Sequence, residues 1–279
     1  MKLNIDPKVR EIRSMKVAEI VSLVNEINKP PGGIMTLNEI IIHAHISNKT
    51  KLLEIGSTTG YSSIQIKRLT GANVYGIDVN KTSVEYAKRN SEKEGVKVDF
   101  RVTDATNLPF KDESFDVIYA SNVTSFINDK TSAINNYIRT LKTYGFLAVV
   151  PIYYIKHPPK SLLNTVSKEI GAEIKDFNRD YWTDLFNRAN MELVYSKEFA
   201  FKHNSKDEIV EYINKYIMEK KEVKKATTAI KSAIFKKYLY QFSLFNKNLS
   251  YTRSSILIYR KVPNNYEKEL FPYAIEMNK

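Results

Sequence analysis

The chain has 279 residues, 43% of them hydrophobic and 27% charged, which is enough for one substantial core arranged as one large domain or two small ones. It has no cysteine, which excludes a disulfide framework, a thiolate zinc or iron–sulfur site and a cysteine nucleophile, and fits a reducing cytoplasm. The formal charge of +12 favours anionic partners without choosing among nucleic acid, a phosphorylated or carboxylated small molecule and an acidic membrane surface.

The opening sequence MKLNIDPKVREIRSMK alternates charged and apolar residues, unlike the continuous apolar stretch of a secretory signal. Val17, Ile20, Val24 and Ile27 then follow the spacing of one helix face over residues 8–28. PPGG at 30–33 interrupts the chain before a second helical piece, IMTLNEIIIHAHI. Residues 1–48 are read as N-terminal helices.

From residue 51 short apolar runs alternate with amphipathic stretches. KLLEI, NVYGID, VKVDFRV, FDVIYAS and GFLAVVPIYY are predicted strands, and SVEYAKRNSEKEG and KTSAINNYIRTLK are predicted helices between them. Repeated strand–helix alternation implies parallel strands joined by right-handed crossovers, hence a doubly wound α/β sheet. A helix DYWTDLFNRAN and a strand MELVYSKEFAF complete a core over 49–202.

Residues 203–248 have a different texture. Ile209, Tyr212, Ile213, Tyr216 and Ile217 form one helical stripe, which Val223, Ala226, Ile230, Ala233 and Ile234 continue. Residues 202–247 hold 11 lysines against 5 acids, so this helical insertion carries half of the net charge and is read as a lid. Residues 249–279 are read as a last strand, YTRSSILIYRKV, and a tail. The longest apolar run, FLAVVPIYYI, falls short of the roughly 20 residues a membrane helix needs, so the protein is expected to be soluble and cytoplasmic, with no membrane insertion.

Three places carry chemistry. KLLEIGSTTGYSS, residues 51–63, runs from a strand through Gly56 and Gly60 into a helix starting near Tyr61, where backbone can pass close to a ligand and free N–H groups point outward. A plain strand–turn–helix would look similar. Asp78 closes NVYGID about 20 residues later, where a carboxylate can accept both hydroxyls of a ribose; the bland alternative is an N-cap on the helix beginning near Lys81. These two features specify an adenosine-like ligand and leave NAD open. The third, VDFRVTDATNLPFKDESFDVIYASN over residues 98–122, ends a strand at Asp104 and Ala105, offering a carboxylate and a backbone N–H to an adenine edge.

In order, LLEIGSTTG, GIDVN, DATNLPF, ESFDVIYASNV and RTLKTYGFLAVV resemble the class I S-adenosylmethionine-dependent methyltransferases, especially the branch acting on small molecules, over about residues 50–152. The resemblance implies a Rossmann-like seven-stranded sheet with an antiparallel last strand and S-adenosyl-L-methionine as cofactor. It implies that Gly56 and Gly60, with Ser57 and Thr58, line the methionine part, that Glu54 organises the loop, and that Asp78 holds the ribose. By the same resemblance Val79 packs on the adenine, Asp104 and Ala105 meet its edge, Ser121 and Asn122 lie near the sulfonium end, and Thr36 approaches from the N-terminal side. Thr58 stands where the family has its middle glycine. A β-branched residue does not reach positive φ cheaply, so the turn is expected either to differ slightly or to use the Thr58 hydroxyl as a ligand.

The acceptor is expected to be a small molecule, with an anionic one favoured by the charge. His157 and Tyr153, after the fifth strand, are the candidate catalytic residues; the plainer reading makes them solvated and packing residues respectively. No metal site is expected, since His43 and His45 lie on different helix faces. An RNA acceptor is the weaker alternative, because SNVTS follows the fourth strand instead of an Asn-Pro-Pro-Tyr motif. A non-catalytic cofactor-binding module is the other, opposed by the intact Glu54, Asp78 and Asp104. The sequence gives no oligomeric state.

Overall fold

The structure, a computed structural model, describes residues 7–188 and 190–267. Residues 1–6 of the expected N-terminal helices and 268–279 of the expected tail lie outside the described residues. The chain divides into two compact units, each assembled from segments far apart in sequence: residues 1–27, 156–176 and 201–252 in the first, and residues 28–155, 177–200 and 253–279 in the second.

The strands are β1 (Lys51–Ile55), β2 (Asn73–Asp78), β3 (Asp99–Val102), β4 (Phe115–Ala120), β5 (Leu141–Val149), β6 (Ile152–Tyr154), β7 (Met191–Ala200) and β8 (Thr252–Lys261). The helices are α1 (Pro7–Ser14), α2 (Val17–Leu23), α3 (Gly33–His43), α4 (Tyr61–Thr70), α5 (Lys81–Lys93), α6 (Lys130–Thr140), α7 (Lys160–Ile170), α8 (Arg179–Phe186), α9 (Lys206–Tyr212), α10 (Lys221–Lys224) and α11 (Thr228–Leu249). A 3-10 turn covers Val123–Phe126, and α9 runs on into a π-helical segment, Ile213–Met218.

The second unit holds the sheet, in the order β3-β2-β1-β4-β5-β8-β6 with β7 also paired to β8. Strands β1 to β5 are mutually parallel and β8 runs antiparallel to both β5 and β7. Strands buried on both faces need apolar residues on both, as the sequence LLEI of β1 provides. On one face Leu53, Ile55, Ile118, Leu147 and Leu257 pack with Ile134, Tyr137, Trp182 and Phe186 of α6 and α8. On the other, Leu52, Val74, Val117, Ala148 and Ile256 pack with Leu37, Ile40 and Ile66 of α3 and α4.

The first unit has its own core. Val9, Ile12, Ile20 and Val24 of the N-terminal helices pack against Ile209, Ile213, Ile217, Val223, Ile234 and Tyr238. The segment expected as an insertion over 203–248 thus shares one interior with residues from the start of the chain.

Four local features differ from expectation. The run 145–154 is two strands, because Pro151 lacks the N–H a ladder needs; β6 continues along the same edge of β8, where Ser255 N–H donates to Pro151 O at 3.3 Å, giving eight strands. The helix over 8–28 is two, α1 and α2. Helix α7 was not foreseen, although Leu162 and Val166 make a buried i, i+4 pair and Gly171, at φ 84, ends it. Finally, α9 widens into a π segment, a geometry with no sequence signature of its own.

Candidate functional site

The register pairs Ile55 at the end of β1 with Ile77 on β2 and Ala120 on β4. The carboxyl ends of three strands therefore stand level at the point where strand order reverses, which is where open α/β sheets bind ligands. The chain leaves β1 in a tight loop: the N–H groups of Gly56 and Ser57 both donate to Ile77 O at 2.8 Å, and Gly60 N–H donates to Ser57 O at 2.8 Å. Gly56 and Gly60 have φ of 73° and 90°. A Cβ at Gly56 would come within 2.5 Å of Val123 Cγ2, and one at Gly60 within 2.9 Å of Phe100 Cζ, so both positions need glycine for space as well as conformation.

Thr58 adopts φ 44°. The loop thus keeps a glycine-type path through a β-branched residue. Its compensation is the Thr58 N–H, which donates to Asp78 Oδ2 at 2.9 Å.

Asp78 ties two segments together, since its Oδ1 accepts the Asn80 N–H at 2.8 Å. The N-cap of α5 is Asn80, which accepts from Ser83 N–H; Asp78 is not the cap. Burial holds the Asp78 carboxyl above its ordinary range despite these N–H donors. Glu54 is buried on β1, and burial pushes it up to about 7 although Ser63 and Ser62 donate to it; the Ser63 hydroxyl lies 2.5 Å from Oε2. Ser62 and Ser63 escaped the sequence reading, and the adjacent serines of GYSS, in the first turn after Gly60, were the available signal.

On the β3 side, the register pairs Asp78 with Val102. Val79 is 69% exposed and Val102 53% exposed, two apolar side chains left open at neighbouring strand ends. Asp104 is exposed and turns one carboxylate oxygen, Oδ1, on Thr106 N–H and Oγ1, leaving Oδ2 for a ligand. Ala105 next to it is buried.

On the β4 side, the Ser121 and Thr124 hydroxyls are buried beside the phenols of Tyr119 and Tyr137, while Ser57 Oγ in the loop is buried without a hydrogen-bond partner. A buried orphan hydroxyl is uncommon, and Ser57 and Ser121 flank the end of the sheet at β1 and β4. Thr124 and the buried Tyr119, whose phenol burial pushes up, were not foreseen. Asn122, at φ 51°, pins the turn after β4, its Oδ1 accepting from Ser125 Oγ at 2.9 Å and Ile152 N–H at 3.1 Å.

The remaining candidates stand elsewhere. Thr36 is buried and its hydroxyl donates to Pro31 O at 2.5 Å, within the PPGG turn. Tyr153 is buried on β6, hydrogen-bonded to Glu198 and, at 2.8 Å, to Ser255 Oγ. His157 belongs to the first unit, where its Nδ1 lies 2.5 Å from Asp176 Oδ2 with the imidazole 90% exposed.

The adenosine-containing cofactor expected from sequence fits the residues present: two glycines cleared of side chains, the start of α4 beside them, an orphan hydroxyl at Ser57, a carboxylate at Asp78, and the exposed Val79. Comparison with known proteins agrees. A methyltransferase-domain family matches residues 53–149. The sterol 24-C-methyltransferase of Pneumocystis carinii is 28% identical over 172 residues, 59% of this chain and 46% of that protein. The phosphoethanolamine N-methyltransferase 1 of Zea mays is 28% identical over 147 residues, 52% and 29% of the two chains. The chain thus spans less than half the length of these curated relatives. Among solved structures, that of the MccD protein superposes with a TM-score of 0.71 at 26% identity, covering 84% of this chain and 100% of the other.

Proposed function

Residues 53–149 form a class I, S-adenosylmethionine-dependent methyltransferase domain, and on that premise we propose that the chain transfers the methyl group to a small-molecule acceptor by in-line displacement. The observation that carries the proposal is the β1–α4 loop, held at positive φ at Gly56, Thr58 and Gly60 and fastened to Asp78 at the switch point of the sheet. The names of two relatives, a sterol and a phosphoethanolamine methyltransferase, support a small acceptor, and the chain's +12 charge favours one bearing an anionic group.

Each residue then has a task. Asp78 would accept the ribose hydroxyls, Val79 would cover the adenine, and Asp104 with the Ala105 N–H would read its edge. Glu54, Ser57 and Ser121 would hold the amino-acid end, with the first N–H groups of α4 offering donors for its carboxylate. Bound there, the cofactor supplies a methyl already activated on a sulfonium, which leaves the protein to align the acceptor and exclude water. Where the acceptor is protonated, His157 is the base we assign: Asp176 would take the Nδ1–H, leaving Nε2 to receive a proton. Tyr153, committed to Glu198 and Ser255, would support β6 and β8.

Incubating the protein with methyl-tritiated cofactor and separate pools of metabolites, RNA and protein tests the proposal. Label in the metabolite pool alone is expected, whereas label in RNA would transfer the assignment to the basic surface of the first unit. His157→Gln should slow transfer to a protonated acceptor by roughly 10²–10⁴-fold without changing cofactor affinity; an unchanged rate would remove His157 from the reaction.

A further inference from the structure

The second unit carries a polar cluster that the cofactor chemistry above leaves unused. Strand β8 pairs Leu257 with Val149, the last residue of β5, and continues past it, where Ser255 N–H and Ser254 Oγ both donate to Pro151 O. Arg253 and Ser255 therefore stand beyond the carboxyl end of β5, at the end of the sheet where the cofactor loop leaves β1. The β7 register sets Glu198 opposite Ser255 and Ser196 opposite Leu257. By strand alternation Ser196, Glu198, Arg253 and Ser255 share the face on which Leu257 packs with Trp182 and Phe186 of α8.

Glu198 is the centre of the cluster. Its carboxylate accepts the Tyr153 hydroxyl and pairs with Nη1 of Arg253, and Tyr153 is held in turn by Ser255 Oγ at 2.8 Å. Arg179, the first residue of α8, donates from Nη2 to Ser196 Oγ at 2.9 Å, and its charge also acts on Glu198. Burial raises the Glu198 carboxyl, yet the phenol and the two guanidiniums hold it below its ordinary range. Two cations thus meet one carboxylate. The Arg253 side chain is 43% exposed, and among the described residues its partner is Glu198, through Nη1, which leaves Nε and Nη2, one edge of the fork, for an oxyanion. The cluster is tied to the cofactor side as well: Ile152, next to Tyr153, donates its N–H to Asn122 Oδ1 at 3.1 Å, in the turn that follows Ser121.

We infer that Arg253, with Arg179 behind it and Glu198 as the shared counter-charge, forms the subsite that takes the carboxylate or phosphate group of the methyl acceptor. The inference rests on the methyl-transfer reading and names the residues that select its acceptor. Tyr153 and Glu198 orient the Arg253 guanidinium, and Glu198 competes with the incoming anion for it. An apolar or cationic group would gain nothing from a second guanidinium at this point.

The test uses benzoate as the anionic probe and benzamide as its neutral isostere, titrated calorimetrically into the full chain saturated with S-adenosylhomocysteine, which keeps both probes out of the cofactor loop. Benzoate is expected to bind about tenfold more tightly than benzamide, the advantage of a charge-assisted bond over a neutral one. Arg253→Gln should remove most of that ratio, and Arg253→Lys should keep part of it. Glu198→Gln, which removes the competing carboxylate, should instead tighten benzoate by about two- to fivefold, the weight of a part-exposed ion pair. All three variants should bind S-adenosylhomocysteine as the wild type does. Absent or equal binding of the two probes, a preference that survives Arg253→Gln, or a Glu198→Gln variant that fails to tighten benzoate overturns the inference; the last result is what a purely structural ion pair predicts. Failure of the folded wild type to bind S-adenosylhomocysteine would instead overturn the methyl-transfer reading on which it rests.

Discussion

Replacing Thr58 by glycine separates backbone strain from ligand contact at the centre of the loop. An L-residue in the left-handed region costs about 1–2 kcal/mol, and for Thr58, at φ 44°, the middle of that range, about 1.5 kcal/mol, applies. Glycine removes that cost but adds roughly 0.5–1 kcal/mol of unfolded-state entropy. The second unit should therefore gain about 0.5–1 kcal/mol. With a urea dependence of about 2–3 kcal/mol per molar, its unfolding midpoint should rise by roughly 0.2–0.5 M. The bond from residue 58 N–H to Asp78 survives the exchange, so S-adenosylhomocysteine affinity should stay within about twofold, a change of less than half a kcal/mol. Thr58→Val keeps the branch and loses the hydroxyl, and should leave that affinity equally unaffected. A loss of about tenfold or more in affinity in both variants would mean that the hydroxyl is a ligand and would refute the strain argument.

Asp78→Ala removes the acceptor for the Thr58 and Asn80 N–H groups and should weaken S-adenosylhomocysteine binding by roughly 1–3 kcal/mol; an unchanged dissociation constant would remove Asp78 from the site. Glu54 makes stability fall with rising pH. Its folded value of about 7 lies above the ordinary 4.5, so its contribution is fully present below the ordinary value and is lost as pH climbs through the folded one, by up to about 3 kcal/mol. Urea midpoints of Glu54→Gln across that window should lack this decline, and a decline equal to wild type would contradict the assignment. In the first unit, Lys237 and Glu169 are an ion pair at 2.7 Å with side chains 5% and 12% exposed. Lys237→Ala should cost about 3–5 kcal/mol by stranding the carboxylate, and pairing Lys237→Met with Glu169→Leu should recover much of it; denaturant curves of the three variants decide.

The parts of this protein that are local in sequence were legible from it. Strand β1, the glycines at 56 and 60, the start of α4 at Tyr61 and the carboxylate at Asp78 all fall within one strand–turn–helix–strand unit, where composition, period and spacing converge. Trp182 of the predicted helix DYWTDLFNRAN lies in the core. What escaped depends on long-range partners. Nothing near Val9 foretells Ile213, more than 200 residues away, yet the first unit brings both into one core with Tyr238 though they share no pattern. Pro151 and Gly171 were visible as breakers, yet what they break is fixed by pairing with β8 and by the buried Leu162 and Val166. At Thr58 the residue type argued against positive φ, and the turn prevailed because Ile77 O and Asp78 fasten both sides of the loop.

The most direct test of the account is calorimetric titration of the purified, cofactor-free chain with S-adenosylhomocysteine, with NAD as the control ligand. The account predicts binding in the micromolar range, about −8 kcal/mol, for S-adenosylhomocysteine and none for NAD. A folded sample that binds neither, or binds NAD instead, would contradict it.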